Sequence, residues 1–292
     1  MKESRVMVKL VFLLLLIFVF FSESFGADKE ILKIAFIPGG DIQTEINLFG
    51  EIIENVSQQV GCPIEIQVAT EYEVAIEGLR GGHLQLARLG PFSYTVAKSL
   101  GISVQPIVME DLTDKGTSYS SILIARADRQ IEFSWEPEIV QDLIVALCSP
   151  SSTSGGLIPQ SEGLTYDPQI TLDSWKKVFW SGSHNASIAA VQHGSVDVAF
   201  IADRRLTAAI ANGIVQEDEI EIIWQSGPIP NSPFVAMSDL GIEMLMKLEW
   251  AFLHIPDELL IKANLKGFKP VSDSTYRYVH RIGEKYLELA EK

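Results

Sequence analysis

The fold is decided by the stretch LIVALCSPSSTSGG, which runs from Leu143 to Gly156. Its first five residues, Leu143 to Leu147, form an apolar run that is typical of a buried strand, and a cluster of hydroxyl side chains follows directly. Gly155 and Gly156 then lead into a run that is compatible with the start of a helix. A strand, a polar loop and a helix start in this order are typical of an α/β fold.

The hydroxyl loop is a candidate anion site, because Ser152, Thr153 and Ser154 bring three hydroxyl donors to the predicted helix start. Backbone N–H groups at a helix start, together with the positive end of the helix dipole, bind an anion without any Lys or Arg. An ordinary Ser-rich N-cap and turn has the same composition. The loop alone therefore leaves both interpretations open.

The order of the predicted elements indicates two α/β lobes. Strands and helices alternate from Ile31 to Ala125, the chain turns polar and irregular between Asp128 and Pro137, and a second α/β set begins at Ile139. Gly227 to Pro230 is a candidate for a second crossing, which would return the chain to the first lobe. We expect a ligand cleft between the lobes, with lobe 1 formed by residues 27–126 plus 232–292 and lobe 2 by residues 127–231.

The first 26 residues are typical of a secretory signal peptide. Three cationic residues precede an unbroken apolar run from Leu10 to Phe21, and Ser24 and Gly26 place small residues before a cleavage point at Ala27. The apolar run is short for a membrane span, although an uncleaved anchor is the alternative. We therefore expect a soluble, exported mature protein that is cleaved near Gly26-Ala27.

The charge and the cysteines restrict the partners further. A formal net charge of −15 argues against nucleic acid and anionic lipid, and predicts that any anion site relies on local dipoles and hydroxyls. Cys62 and Cys148 could pair in an oxidising compartment, but the sequence does not place them near each other. Neither has other metal ligands at close spacing, so we expect no metal site and no cofactor.

Four more side chains are candidates for a ligand site, each with a structural alternative. His184 lies in a loop before a predicted helix, where it could face a cleft or cap the helix; a protonated histidine is a good oxyanion donor. Asp203 follows a strand directly and could contact a ligand, cap a helix, or do both. Tyr72 and Tyr119 could line a pocket or lie in the core.

An enzyme is the main competing class. Ser154, His184 and Asp203 are the residue types of a serine hydrolase, but the sequence has no Gly-x-Ser-x-Gly motif and their chain order matches none of the well-known triads. The sequence also lacks a phosphate-binding P-loop, a His-Glu-x-x-His motif and a dinucleotide fingerprint. We therefore expect a binding protein with no catalytic residue.

Seven short motifs occur in order along the chain: Glu71-Tyr72, Leu89 to Tyr94, Tyr119-Ser120-Ser121, Ser151 to Gly155 with Pro159, Ser181 to His184, Gly194 to Ala199, and Pro228 to Pro233. Taken together, they resemble the phosphonate-binding subunits of ABC importers, and the resemblance covers nearly all of the mature chain.

The resemblance implies a type II periplasmic-binding-protein fold, with two α/β lobes joined by a two-crossing hinge. It implies that Ser152, Thr153, Ser154 and His184 bind the phosphorus oxygens, and that Tyr72 and Tyr119 line the pocket. Relatives that bind aminoalkyl phosphonates hold the ammonium with acidic residues; Asp203 matches one of these positions approximately, whereas the other falls on Ser232. Gln85 is a second departure, since the family usually has Asp there.

The function that the resemblance implies is capture of a small phosphorus oxyanion, such as phosphonate, phosphite or phosphate, in the periplasm. The protein would be a monomer that delivers its ligand to an ABC transporter permease. Docking on a membrane sensor kinase is an alternative output, and a hydrolase or transferase on the same fold is a further one.

Overall fold

The computed structural model describes residues 31–37 and 42–290, so the predicted signal peptide lies outside the described residues. The strands are β1 (Leu32–Phe36), β2 (Ile64–Val68), β3 (Leu86–Arg88), β4 (Val104–Leu112), β5 (Ser118–Tyr119), β6 (Ser121–Arg126), β7 (Ile144–Leu147), β8 (Lys177–Trp180), β9 (Val198–Ala202), β10 (Ile220–Gln225), β11 (Ile229–Pro230), β12 (Pro233–Met237) and β13 (Leu265–Pro270). The α-helices are α1 (Ile42–Val60), α2 (Tyr72–Arg80), α3 (Pro91–Ser99), α4 (Pro137–Val140), α5 (Ile158–Gly163), α6 (His184–Gln192), α7 (Asp203–Ala211), α8 (Gly241–Leu253), α9 (Asp257–Lys262) and α10 (Arg277–Ala290).

Two mixed sheets form the two lobes. The first has six strands in the order β13-β4-β12-β3-β1-β2, in which β1 runs parallel to β2 and β3, and β12 runs antiparallel to β3 and β4. The second has five strands in the order β10-β6-β9-β7-β8, in which β7 runs parallel to β8 and β9. Both sheets belong to the compact unit that begins at Leu32.

The chain crosses between the sheets twice, and the first crossing lies earlier than the sequence predicts. Ser121–Arg126 was expected to end lobe 1, but this strand, β6, pairs with β9 and β10 in the second sheet. The first crossing therefore spans residues 113–120, and the second spans residues 226–232. The two crossings pair with each other through β5 and β11, in a two-stranded antiparallel ribbon. The apolar sequence of β6 does not indicate which sheet the strand joins. The polar stretch that follows β6 was therefore taken as the boundary between the lobes.

Each sheet has an apolar core on both faces. On one face of the first sheet, α1 and α8 bury a cluster that includes Ile52, Phe234 and Phe252. In the second lobe, Trp135 packs against Phe200 and forms the centre of an aromatic cluster. The carboxyl ends of β7 and β9 lie outside these apolar cores and face the first lobe. The polar residues of the site lie at these strand ends.

Two local features, strand β13 and the side chain of Gln85, were not expected from the sequence. Strand β13 was not predicted, because its sequence contains a glycine and ends in proline; such a strand is tolerated at a sheet edge, which is its position. Gln85 has a structural role: its side-chain oxygen accepts from the Lys33 amide at 3.0 Å, and its Nε2 donates to the Gly82 carbonyl at 3.0 Å. Across residues 31–37 and 42–290, no helix combines the length and apolar character needed to span a membrane.

Candidate functional site

A small crevice of about 20 Å³ lies between the two lobes. It brings together Tyr72, Tyr119, Ser152, Thr153, Ser154, His184 and Ser232, which are seven of the eight ligand residues predicted from the sequence. The remaining lining residues were not predicted as ligand residues; they are Ile37, Arg88, Gly90, Ala202, Arg204 and Arg205.

The hydroxyl loop starts a helix, as expected. Ser152 is the N-cap, and its side chain accepts a hydrogen bond from the amide of Gly155 at 3.2 Å. Residues Thr153–Leu157 form one wide π-helical turn that continues into α5. The first amides of a helical segment have no carbonyl partner within it, so the amides of Thr153 and Ser154 are suited to an anion.

Two glycines allow this turn to lie close to the end of β7. A Cβ at position 155 would overlap the Sγ of Cys148, and a Cβ at position 156 would overlap the carbonyl oxygen of Ser149. Neither glycine has a left-handed backbone, so the requirement is for space and not for conformational freedom. The pair Gly155-Gly156 therefore sets how deeply the hydroxyl loop is seated beneath the crevice.

The loop also connects the two lobes. The hydroxyl oxygen of Thr153 accepts from the amide of Phe92, at the start of α3 in the first lobe, at 2.9 Å. The hydroxyl of Ser93 donates to the carbonyl of Ser151 at 2.8 Å. Since Thr153 accepts through its oxygen, its hydroxyl proton remains available to a neighbouring acceptor. The lobes are thus in contact at the edge of the crevice.

His184 is held as a neutral imidazole. Its Nδ1 accepts from the amide of Ala202 at 3.3 Å and lies 3.0 Å from the Sγ of Cys148, so its proton is on Nε2. Burial lowers the pKa of His184 well below its ordinary value, and the positive charges of Arg205 and Arg204 lower it further. His184 therefore offers the crevice a neutral N–H donor, not the cationic one that a protonated histidine would give.

The two predicted tyrosines line the crevice and are buried. Burial raises the pKa of the Tyr72 phenol above its usual range, although a hydrogen bond with Ser152 acts in the opposite direction. Burial also raises the pKa of Tyr119, against the effects of Arg204 and of hydrogen bonds with Thr153 and Ser154. Both phenols stay protonated at neutral pH and orient the hydroxyls of the loop.

Three arginines are the main functional residues that the sequence prediction missed. Arg88, Arg204 and Arg205 all line the crevice, so the expectation that the site relies on dipoles and hydroxyls alone was wrong. Arg88 forms a buried bidentate ion pair with Glu110, whose Oε2 accepts from Nη2 at 2.9 Å. Their positions in the sequence could have identified them. Arg88 ends β3, and Arg204 and Arg205 follow β9, and α/β sheets bind ligands at such strand ends.

Asp203 is the one predicted ligand residue that does not line the crevice. Its carboxylate accepts from the Nζ of Lys115 at 2.8 Å and from the amide of Arg204 at 2.7 Å. Ser232 does line the crevice, and its hydroxyl oxygen accepts from Nη2 of Arg204 at 3.1 Å. The two positions at which relatives were expected to bind an ammonium therefore both contact cationic side chains here.

The alternative of a serine hydrolase is not supported by these contacts. The Asp203 carboxylate binds Lys115 and the Nδ1 of His184 accepts from a backbone amide, so neither is placed to form a Ser-His-Asp relay. Cys148 is buried, burial raises its pKa to about 12, and no disulfide joins it to Cys62. The groups at the crevice are suited to binding and not to covalent chemistry.

The fold places a crevice lined by hydrogen-bond donors between two α/β lobes, which is the architecture of a two-lobed binding protein. Residues 34–276 match the family described as the periplasmic substrate-binding protein of phosphonate ABC transporters. The chain belongs to that family, and it is therefore a transporter substrate-binding protein of the periplasm and not an enzyme.

Relatives and solved structures agree with this assignment. The chain is 27% identical over 253 residues to the phosphate-import protein PhnD of Mycolicibacterium smegmatis, covering 82% of this chain and 74% of that one. It is 23% identical over 289 residues to the probable ABC transporter phosphite-binding protein PhnD1 of Prochlorococcus marinus, covering 94% and 96%.

Two crystal structures show the same fold. A binding-protein component of a phosphonate ABC transporter from Pseudomonas aeruginosa superposes with a TM-score of 0.79 at 21% identity, covering 87% of this chain and 86% of that one. PhnD1 of Prochlorococcus marinus, in complex with methylphosphonate, superposes with a TM-score of 0.78 at 22% identity, covering 89% and 99%. These likenesses confirm the predicted type II periplasmic-binding-protein fold.

Proposed function

We propose that this protein binds the tetrahedral head group of a phosphonate, phosphite or phosphate in the crevice and delivers it as a monomer to an ABC transporter permease. The observation that carries the proposal is the convergence of the Ser152–Ser154 loop and His184 at one interlobe crevice. The relatives named above, whose names include phosphate import and phosphite binding, support the same ligand class.

The chemistry of the crevice matches a phosphorus oxyanion. The helix-start amides, the hydroxyls of the loop and the Nε2–H of His184 are all donors, and donors are what oxygen atoms of a dianion require. Among the described residues, no carboxylate lines the crevice, and three guanidinium groups do. A hydrogen bond to a charged group contributes about 1.5–3 kcal/mol, so four or five of them support a dissociation constant near micromolar or tighter after the cost of association.

The same contacts argue against a ligand that carries an amine. An ammonium group needs a carboxylate partner in a buried site. Asp203 is bound to Lys115, and Ser232 accepts from Arg204. A 2-aminoethyl substituent would thus meet the cationic side chains of Lys115 and Arg204 at the two positions where other family members were expected to place acidic residues.

Isothermal titration calorimetry with methylphosphonate, phosphite, phosphate and sulfate tests the proposal. We expect saturable binding of at least one phosphorus oxyanion, and Thr153→Val to weaken it by about tenfold or more, because it removes one donor and the acceptor of the Phe92 amide. Thr165→Val is the matched control, since Thr165 bonds only the Glu162 carbonyl on the exposed surface. Absence of binding to every phosphorus oxyanion would refute the proposal.

The partner and the processing can be tested separately. We expect the ligand-loaded mature chain to stimulate ATP hydrolysis by its reconstituted permease, and to act as a monomer in light scattering. Cleavage between Gly26 and Ala27 is tested by mass spectrometry of the exported protein. Recovery of a sensor kinase in place of a permease on crosslinking would favour the signalling alternative.

A further inference from the structure

A second cavity adjoins the crevice and shares Arg88, Arg204 and Arg205 with it. Its volume is about 270 Å³, against about 20 Å³ for the crevice itself. The second cavity is much the larger of the two, so a substituent on phosphorus has more room there than in the crevice. That cavity is walled by both lobes, through Leu48, Leu112, Lys115, Ala208, Ala211 and Leu265.

Arg204 lies at the junction of the two cavities and has unused donors. Its Nη2 donates to Ser232 at 3.1 Å, and its guanidinium carbon lies 4.5 Å from the centre of the Tyr119 ring. Its Nε and Nη1 are buried, and neither has a hydrogen-bond acceptor among the described residues. Nη1 is 3.6 Å from Oε2 of Glu110, which is an ion-pair distance that is too long for a hydrogen bond.

Buried donors that lack an acceptor are costly, and a guanidinium is the side chain best suited to a planar or tetrahedral acid group. The charges around the second cavity favour the same kind of group. Four cationic side chains line it, and two of the lining residues, Glu110 and Asp114, are acidic. Lys115 is paired with Asp203 and Arg88 with Glu110, so the local excess of positive charge comes from Arg204 and Arg205 beside Asp114. The excess contrasts with the whole-chain net charge of −15.

We propose that Arg204 binds a second acid group on the substituent of the ligand, so that the protein selects phosphonates that carry a carboxylate or a further phosphoryl group. The proposal rests on the proposed function, and it makes Arg204 the residue that determines specificity. The head group is bound by the loop and His184, while the apolar walls of the second cavity contact the carbon chain between the two acid groups.

The test compares ligands of the same size on the unaltered mature protein. Phosphonoacetate carries a carboxylate, and carbamoylmethylphosphonate replaces it with a neutral amide of nearly the same shape. We expect calorimetry to show phosphonoacetate binding at least tenfold more tightly than the amide, and 2-aminoethylphosphonate binding more weakly than either. Equal affinity for phosphonoacetate and its amide would overturn the inference without any variant.

Arg204→Gln then identifies the residue. We expect it to reduce the preference for phosphonoacetate over the amide to about one, and to weaken phosphonoacetate about tenfold more than methylphosphonate. Arg80→Gln is the matched control, because it makes the same change in net charge at an exposed arginine that pairs with Glu77 on α2.

The remaining outcomes are distinguishable. If Arg204→Gln keeps the preference for phosphonoacetate over the amide, or loses equal affinity for methylphosphonate and phosphonoacetate, then Arg204 does not bind the substituent. If the variant does not fold, the ligand comparison on the unaltered protein still decides whether a second acid group is recognised. A protein that binds none of the phosphonates would instead refute the proposed function.

Discussion

The neutral state of His184 gives a quantitative prediction about ligand affinity. The amide of Ala202 can only donate, so Nδ1 must accept and Nε2 must carry the ring proton. Burial, Arg205 and Arg204 all oppose protonation of the ring. Between pH 6 and 9, His184 should therefore keep the same charge in the free protein and in the complex.

The two possible donors have opposite signatures. An imidazolium donor would give an affinity that is fully present below the pKa of His184 in the free protein, and that falls by up to tenfold for each pH unit between this pKa and the higher pKa in the complex. A neutral donor gives no such loss. His184→Gln places an amide N–H near the position of Nε2, and this amide does not titrate. Ionisation of the ligand affects the variant and the unaltered protein equally, so the ratio of the variant's dissociation constant to that of the unaltered protein reports on His184 alone.

Calorimetric titration with phosphite at pH 6, 7, 8 and 9 measures that ratio. We expect it to stay constant within about twofold, while His184→Ala loses about tenfold or more at every pH because one hydrogen bond to a charged group is removed. A ratio that falls steadily with rising pH, as the unaltered protein loses its advantage, would refute the neutral-donor assignment.

Three further predictions concern the groups that build the site. Gly156→Ala should lower the free energy of unfolding in urea by about 1–3 kcal/mol, because its Cβ would overlap the Ser149 carbonyl. Gly50→Ala on α1 is the control, because the space around Gly50 is open and no destabilisation is expected. Equal effects of the two substitutions would contradict the packing account. Glu110→Gln should lower the free energy of unfolding by about 3–5 kcal/mol, because it removes the carboxylate of the buried ion pair with Arg88. Glu243→Gln, at an exposed pair with Lys247, should leave the unfolding midpoint unchanged. A Glu110→Gln protein as stable as the unaltered one would contradict the prediction. In thiol titration, Cys148 should react only after unfolding, since burial raises its pKa to about 12, and its reaction in the native protein would contradict this burial.

Much of the site could be predicted from the sequence because its donors lie where strands end and helices begin. The hydroxyls of the 152–154 loop and His184 occur at such junctions, and the structure brings them together with Tyr72, Tyr119 and Ser232. The residues alone left Tyr72 and Tyr119 as candidates for a pocket wall or for the core, and the resemblance to a transporter family favoured the pocket wall.

The arginines were missed because the net charge of the whole chain was used to infer the local field. Only the pairing of distant segments shows that Arg88 and Arg204 share one crevice, since Arg88 lies in the first lobe and Arg204 in the second. Asp203 was expected to contact a ligand, to cap a helix, or to do both; in the structure it is the first residue of α7, and Ala202 is the N-cap. The partner of its carboxylate, Lys115, lies in the first crossing, which no local pattern connects to it.

A crystal structure of the mature protein with methylphosphonate tests the central claim most directly. We expect the phosphonate oxygens to lie within hydrogen-bond distance of the Thr153 and Ser154 amides, the loop hydroxyls and Nε2 of His184. Phosphonate density at any other place, with the crevice between these groups left to solvent, would contradict the account.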